Sequence, residues 1–255
     1  MKLKIIEKNK SSLVAIFEDT DVSIINALRR TAISEVPTLA IESVDIIENT
    51  SSFYDEIIAH RLAMIPIKTD LKLFNFRDEC SCKKGCASCT LKLTLKKTGP
   101  CLVYSHDMKS NAKLKPIPNI PILKLGKGQK ISFEAEAVLG TGKMHARWQP
   151  AVASYKYYPE IKVDANCTLC NACVDACPRN ILKISGKKLK VTDEKDCTLC
   201  DSCVETCDQD AIKVSGKERK FIMKIESVGS LKPEQIINKS SEILRDKIRT
   251  MKALL

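Results

Sequence analysis

Twelve of the thirteen cysteines in this chain fall into three tight clusters, and they are the side chains best suited to do chemistry. Thiolates are soft ligands that bind zinc and iron–sulfur clusters rather than magnesium or calcium. The first residues, from Met1 to Lys8, lack the long apolar stretch of a secretory signal. In a chain without an export signal, clustered cysteines indicate metal ligation rather than disulfides.

The strongest cluster is a duplicated run with the spacing of a bacterial ferredoxin. Its first copy consists of four cysteines followed by a proline: Cys167, Cys170, Cys173, Cys177 and Pro178. Thirty residues further on, the second copy has the same spacing: Cys197, Cys200, Cys203 and Cys207. The flanks repeat as well, since CTLCNACVDACPRNILKISGKKLKV aligns without a gap with CTLCDSCVETCDQDAIKVSGKERKF. The duplication predicts a ferredoxin-like module with two [4Fe–4S] clusters.

The spacing also predicts which cysteines share a cluster. Three cysteines separated by two residues can surround one cube, whereas the fourth, expected at the start of a following helix, reaches the other cube. We therefore expect one cluster to be held by Cys167, Cys170, Cys173 and Cys207. The second cluster is expected on Cys197, Cys200, Cys203 and Cys177. The alternative is structural zinc or a vestigial pattern.

The third cluster consists of Cys80, Cys82, Cys86 and Cys89. Residues 71–74 and 91–95 on either side alternate apolar and polar, which predicts a loop between two strands. Four thiolates within ten residues can close a tetrahedron around Zn²⁺, and such a site is structural. Reduced thiols or a local disulfide are the alternatives. The remaining Cys101 is expected to be a buried free thiol.

Composition is that of a folded protein, with 44% hydrophobic and 29% charged residues among 255. No apolar run approaches the roughly 18 residues needed to span a bilayer, so a cytoplasmic location is expected. The formal net charge is +11. Three four-thiolate sites, each carrying about −2, would lower it to about +5. A basic balance permits contact with nucleic acid, and the alternative is a solvated surface.

Apolar periodicity and turn residues predict the elements between the cysteines. Strands are expected at 2–8, 13–18, 39–48 and 221–225, and helices at 22–34, 53–64 and 233–254. Asp21 and Ser52 are the expected N-caps of the first two helices. The last helix has one apolar face: Ile236, Ile237, Ser240, Leu244, Ile248, Met251 and Leu255. This face is expected to pack on the protein's own sheet or on a partner.

Four segments outside the cysteine clusters resemble a known family: DVSIINALRR (21–30), DEIIAHRLAMIP (55–66), HARWQP (145–150) and residues 221–229. They are similar to the signature of the alpha-type assembly subunits of multisubunit RNA polymerases. The ferredoxin insertion resembles one branch of that family, the D subunits of archaeal polymerases. The loop 80–89 looks like the zinc loop of the corresponding eukaryotic subunit.

The resemblance implies an α+β fold with three domains. A discontinuous, alpha-subunit-like dimerisation domain is formed by both chain ends, at 1–40 and 219–255. An inserted β-rich domain, at 41–160, carries the four-cysteine loop. A two-cluster ferredoxin-like domain, at 161–218, is a further insertion.

The function implied by the resemblance is that of a non-catalytic scaffold of RNA polymerase. Such a subunit pairs with a small L-type subunit, and the heterodimer is a platform for N- and P-type subunits and the large catalytic subunits. DNA and RNA are met only through the complex. Arg29, Arg30, His60 and Arg61 match motif positions of the family and either contact the large subunits or stabilise the local fold.

The alternative function is an electron-transfer subunit of an oxidoreductase, since two adjacent clusters are the usual arrangement for that task. The rest of the chain shows no flavin or nicotinamide fingerprint. The Asn-Ala-Leu-Arg-Arg segment at 26–30 has a ready explanation only in the scaffold interpretation.

Overall fold

The computed structural model describes residues 1–82 and 85–255, which contain strands and helices in a mixed order. The strands are β1 (Lys2–Lys8), β2 (Ser12–Glu18), β3 (Thr38–Asn49), β4 (Thr90–Thr98), β5 (Cys101–Tyr104), β6 (Lys109–Ser110), β7 (Pro121–Leu125), β8 (Lys130–Gly140), β9 (Ala151–Val163), β10 (Leu182–Ser185), β11 (Lys188–Val191) and β12 (Ile212–Ser227). The α-helices are α1 (Val22–Ser34), α2 (Asp55–Ala63), α3 (Ala172–Asp175), α4 (Ser202–Glu205) and α5 (Pro233–Leu254). The predicted α+β class is confirmed.

The chain divides into two compact units, and each contains segments that are distant in sequence. The first unit comprises residues 1–8, 14–26 and 154–224. The second comprises residues 9–13, 27–153 and 225–255. The three-domain boundaries implied by the family resemblance stay a prediction.

The first unit is built on a four-stranded sheet of order β1-β2-β12-β9. The inner strand β12, from the last third of the chain, pairs with β2 of the N-terminal hairpin. The Thr20 backbone N–H donates to the Arg219 carbonyl at 3.4 Å, and Lys220 forms an ion pair with Glu18 at 2.7 Å. The ring of Phe221 lies 4.9 Å from that of Tyr157 on the neighbouring strand. Residues separated by about two hundred positions therefore share one sheet.

Asp21 caps the start of α1 as predicted, since its carboxylate accepts from the Ser23 backbone N–H at 2.8 Å. This hydrogen bond lowers the pKa of Asp21. Ile25 is fully buried, whereas the neighbouring Ile24 is half exposed. Adjacent helical residues point about 100° apart, so Ile25 lies within the buried stripe and Ile24 lies outside it.

The second unit has a sheet of order β3-β8-β4-β6, with β8 in the centre pairing antiparallel to β3 and β4. Helix α2 packs on β3 and buries Ile58 and Leu62. Phe133 on β8 is also buried in this core, because alternate strand residues point to the same face. The two-stranded sheet of β5 and β7 contributes Val103 to the same core.

Two local predictions in this unit are wrong. Residues 71–74 form a turn rather than a strand, because the Asp70 carboxylate accepts from the Lys72 N–H at 3.0 Å and the Asp70 carbonyl accepts from Leu73. Strand β4 pairs with β6 and β8 instead. Ser52 is not a cap either: α2 begins at Asp55 after Tyr54, whose side chain makes no capping hydrogen bond.

Helix α5 changes character along its length. Its first half buries Ile236 and Ser240. In the second half, Ile248 and Met251 are more than half exposed, as is Leu255 directly after the helix. The predicted apolar face is therefore only partly covered by the chain itself. None of the described helices is both long and apolar enough to cross a membrane.

Gly140 provides a test of packing in the second unit. A Cβ atom at this position would overlap the indole ring of Trp148, whose Nε1–H donates to the Val138 carbonyl at 3.1 Å. We expect Gly140→Ala to destabilise this unit by about 1–3 kcal/mol, because the indole must move. Trp148 is the single tryptophan, so its fluorescence during urea unfolding reports the change directly.

The matched control is Gly126→Ala, where the new methyl group would meet only the flexible Gln129 side chain. Its unfolding midpoint should stay close to that of the unmodified protein. Equal midpoints for the Gly140 and Gly126 variants would show that the indole does not constrain Gly140.

Candidate metal centres

The four cysteines of the loop 80–89 come together at one point. All four sulfur atoms lie within 4.8 Å of one another. The Sγ–Sγ distances are 3.6 Å from Cys80 to Cys86, 3.4 Å from Cys82 to Cys89 and 3.8 Å from Cys86 to Cys89. A disulfide requires about 2.05 Å, so these sulfurs are not covalently paired. Four converging sulfurs are the ligand set of a single tetrahedral ion.

Strand β4 positions this group, because Cys89 directly precedes the first strand residue, Thr90. The backbone N–H groups of Cys89 and Thr90 donate to the Cys86 carbonyl at 3.0 and 2.8 Å. The Cys86 N–H donates in turn to the Cys89 sulfur at 3.3 Å. Thr90 is paired with Val138 of β8, so one end of the loop is anchored in the sheet.

Hydrogen bonds within this group shift the pKa values of Cys89 and Cys82 in opposite directions. Burial opposes ionisation of Cys89, but hydrogen bonds from the Cys86 backbone, Thr90 and Cys82 lower its pKa to about 6. The hydrogen bonds that Cys82 makes with Cys80 and Cys89 raise its pKa to about 12. Burial adds to this rise in the pKa of Cys82, so the hydrogen-bonded thiol keeps its proton.

The eight cysteines of the repeat surround two separate cavities. A cavity of about 80 Å³ is lined by Cys167, Cys170, Cys173 and Cys207. A second, of about 20 Å³, is lined by Cys177, Cys197, Cys200 and Cys203. Each cavity thus collects three cysteines from one copy and one from the other. Within the described residues, none of these cysteines belongs to a group of sulfurs close enough to share one ion.

One buried cysteine of each cavity has a raised pKa. Burial, and then the charges of Cys177 and Cys197, raise the pKa of Cys203 to about 11. Burial also raises the pKa of Cys173, with Cys167 and Cys170 as the next causes. Each set of four therefore needs positive charge in its cavity before all its members ionise.

The backbone of the two copies repeats an unusual conformation. Leu169 and Leu199 both have positive φ, at 59° and 57°. Three residues in each copy share this property at identical offsets: Leu169, Asn171 and Asn180 in the first copy, and Leu199, Asp201 and Asp210 in the second. A left-handed leucine is strained, and such residues turn successive N–H groups toward an anion.

Backbone donors already reach two sulfurs. The Leu199 N–H donates to the Cys197 sulfur at 3.4 Å, and the Ala211 N–H donates to the Cys207 sulfur at 3.3 Å. Lys156 of β9 secures the second loop from outside, since its Nζ donates to the carbonyls of Lys195 and Cys197 at 2.5 and 2.7 Å.

Three details differ from the sequence predictions or escaped them. Cys177 follows the short helix α3 instead of starting a helix, and strand β10 comes next. Cys101 is half-buried rather than buried, with its sulfur 3.6 Å from the Thr98 carbonyl. Lys156 had no recognisable signal, because a lone lysine in a strand forms no motif.

The motif cations lie on two helices. Arg29 is half-buried and Arg30 exposed on α1. His60 and Arg61 are exposed on α2, where the Arg61 guanidinium lies over the Phe53 ring at 5.7 Å and donates to the Pro121 carbonyl at 3.4 Å. These contacts hold the Arg61 side chain against its own unit, whereas no such role follows from the exposure of His60 and Arg30.

Comparison with known families identifies two segments of the chain. Residues 44–168 match the model of the RNA polymerase Rpb3/RpoA insert domain. Residues 166–211 match the model of the 4Fe-4S dicluster domain, which spans all eight repeat cysteines. An iron–sulfur cofactor is thus supported for the repeat.

Curated relatives match almost the whole chain. DNA-directed RNA polymerase subunit Rpo3 of Archaeoglobus fulgidus is 42% identical over 100% of this chain and 97% of its own length. The Rpo3 subunit of Methanothermobacter thermautotrophicus is 41% identical over 97% and 96%, and that of Methanosarcina acetivorans is 37% identical over 100% and 98%. This chain therefore belongs to the Rpo3 family of DNA-directed RNA polymerase subunits.

Proposed function

We propose that this protein is a non-catalytic assembly subunit of RNA polymerase that forms a heterodimer with a small L-type subunit. The observation that carries the proposal is similarity to Rpo3 subunits along the entire chain rather than in the repeat alone. The heterodimer would then bind N- and P-type subunits and the large catalytic subunits. In the part of the chain that the structure describes, the side chains grouped for chemistry are cysteines suited to ligation.

The exposed half of α5 is the surface that supports pairing with the L-type subunit. Ile248 and Met251 are 63% and 61% exposed, and Leu255 is 98% exposed. Three- and four-residue spacing places apolar side chains on one face of a helix. Large exposed apolar patches of this kind mark protein–protein contacts. The half-buried Leu244 continues the same face toward the covered end.

Charged substitutions on this face should prevent heterodimer formation. We expect Ile248→Glu combined with Met251→Glu to weaken binding of the L-type subunit by at least about a hundredfold, because two carboxylates would be buried without partners. Titration calorimetry with the purified L-type subunit measures the change.

Thr250→Glu combined with Ala253→Glu is the matched control, since both residues are exposed outside the apolar face of α5 and the variant gains the same two charges. This variant should bind like the unmodified chain. If the double variant bound equally well, α5 would not be the contact surface.

We further propose that the repeat holds two [4Fe–4S] clusters with the crossed ligand sets predicted from the spacing. The cavities support this assignment, because Cys207 lines the cavity of the first copy and Cys177 that of the second. Such a cluster is larger than a single ion, so its ligands surround a space instead of touching one another. When bound, the clusters would supply the positive iron needed to ionise Cys173 and Cys203.

Paired serine substitutions test the crossed assignment. Cys167→Ser with Cys207→Ser should lose half of the iron, as either change alone does, because both alter one cluster. Cys167→Ser with Cys177→Ser should lose nearly all of it. Iron and sulfide analysis after anaerobic purification measures the difference. Equal losses from the two double variants would contradict the assignment.

Zinc is the proposed ion of the loop 80–89. The four convergent sulfurs, without oxygen or imidazole ligands, suit a closed structural Zn²⁺ site. The metal would join Cys80 and Cys82 to Cys86 and Cys89 beside the start of β4, which is a structural role.

Cys82→Ser should remove the zinc and leave the iron unchanged, because three remaining thiolates cannot close the tetrahedron. Elemental analysis of the purified chain gives both metals. Cys101→Ser is the control, since Cys101 lies outside the three clusters, and it should retain both. Iron in place of zinc in the unmodified loop would overturn the proposal.

Electron transfer is not favoured as the main function. The dicluster match covers 46 of the chain's residues, whereas the similarity to Rpo3 subunits extends to both ends. A ferredoxin fold alone does not establish a redox role, because function resides in sites rather than in folds.

A further inference from the structure

The hairpin of β10 and β11 has two faces of different character. Ile184 and Leu189 are cross-strand partners, and both line the cavity that contains Cys167. Lys183 and Lys190 also lie opposite each other, and both are exposed. Neighbouring strand residues point to opposite faces, so the apolar pair covers the cavity while the lysine pair faces solvent.

The turn of this hairpin adds two further lysines. Gly186 has a φ of 63° at the first position of a two-residue turn, which is the place for glycine in a type II′ hairpin. Lys187 and Lys188 follow, and both are exposed. The eight residues from Lys183 to Lys190 thus present four lysines and contain no acidic or aromatic side chain.

None of these four lysines forms an ion pair with any residue in the ranges 1–82 and 85–255. Lys183 and Lys190 are directly opposite, and like charges in that position destabilise a hairpin. The four lysines therefore do not stabilise the fold. Their charge is available to an external anion.

The second copy of the repeat is an internal comparison, because three of its lysines occupy equivalent positions. Each of them is paired with a carboxylate of the same unit: Lys213 with Asp164 at 3.1 Å, Lys217 with Glu160 at 3.5 Å and Lys220 with Glu18 at 2.7 Å. The positive charge of the second copy is therefore neutralised within the protein, whereas that of the first copy is not.

The difference arises from tertiary context rather than local sequence. Both copies contain Ser-Gly-Lys, at 185–187 and at 215–217. The first forms the hairpin turn, and the second continues within β12. Strand β12 lies between β2 and β9, which carry Glu18 and Glu160. The first-copy hairpin pairs only with itself.

We propose that the lysine face of this hairpin is a docking surface for the phosphate backbone of duplex DNA. Lysine ammonium groups bind phosphates as point charges without reading sequence. Surfaces for single strands combine basic residues with aromatic stacking platforms, and this hairpin has none. The inference goes beyond assembly and departs from the expectation that this chain meets DNA only through the other subunits. It rests on the proposed function, because an RNA polymerase holds duplex DNA.

The test uses complete polymerase in which all four hairpin lysines are changed: Lys183→Gln, Lys187→Gln, Lys188→Gln and Lys190→Gln. Binding to mixed-sequence duplex DNA is measured over a range of salt concentrations. Each lost phosphate contact reduces the magnitude of the negative slope of log affinity against log salt by about 0.9, so we expect four lost contacts to reduce it by about 3.6. The corresponding four Lys→Arg changes should restore the slope.

The control enzyme carries four Lys→Gln changes at exposed lysines of the other unit: Lys113, Lys115, Lys124 and Lys127. Its net charge equals that of the hairpin variant, and its salt slope should equal that of the unmodified polymerase. The proposal is overturned if the hairpin variant keeps the original slope, or if the control loses as much. A decrease seen with single-stranded RNA but not with duplex DNA would also overturn it.

Subunit and iron content of each enzyme are measured in parallel. Both should match the unmodified polymerase. Loss of a subunit or of iron in the hairpin variant would assign these lysines to protein contacts or to the clusters, and would contradict a DNA surface. Failure of the proposed function is distinguishable, because the unmodified chain would then not be recovered with polymerase at all.

Discussion

Pairing of strands β9 and β12 is the constraint on which the cysteine repeat depends. Residues 164–211 leave the sheet at the end of one strand and return at the start of its neighbour. The Asp164 N–H closes this base by donating to the Ala211 carbonyl at 2.8 Å, and Lys213 pairs with Asp164 beside it. The sheet holds the two ends of this insertion together. The insertion is therefore a closed loop, and the entropy cost of bringing its ends together is met by the sheet.

Cysteine ligation complements this constraint, because the module has little apolar material of its own. Its buried cluster contains four cysteines beside Ile181, Leu182 and Ile212. A core of this size is marginal, and small domains of this kind are usually cross-linked by metals or disulfides. The sulfurs of Cys80, Cys82, Cys86 and Cys89 converge in a similar way beside the start of β4.

Much of this arrangement could be predicted from the sequence, because cysteine spacing and helical periodicity depend on covalent geometry. The limits of α1 and α5 need only such local rules. The crossed ligand sets stay a prediction, which the cysteines that line the two cavities support. Residues 71–74 alternate by chance, and the Asp70 side chain decides their conformation. Ser-Gly-Lys adopts two conformations in the two copies, because neighbouring strands rather than local preference determine the second. The dependence of Lys156 on carbonyls about forty residues away was likewise beyond any local pattern.

We interpret this chain as a metal-bearing assembly subunit of RNA polymerase, and isolation of its native complex is the decisive experiment. The measurement is affinity purification of the tagged chain from its own cells under anaerobic conditions, with subunit composition, iron, sulfide and zinc determined on the same sample. We expect stoichiometric small and large polymerase subunits together with iron, sulfide and zinc. Recovery with flavin- or nicotinamide-dependent redox enzymes, and without polymerase subunits, would contradict it.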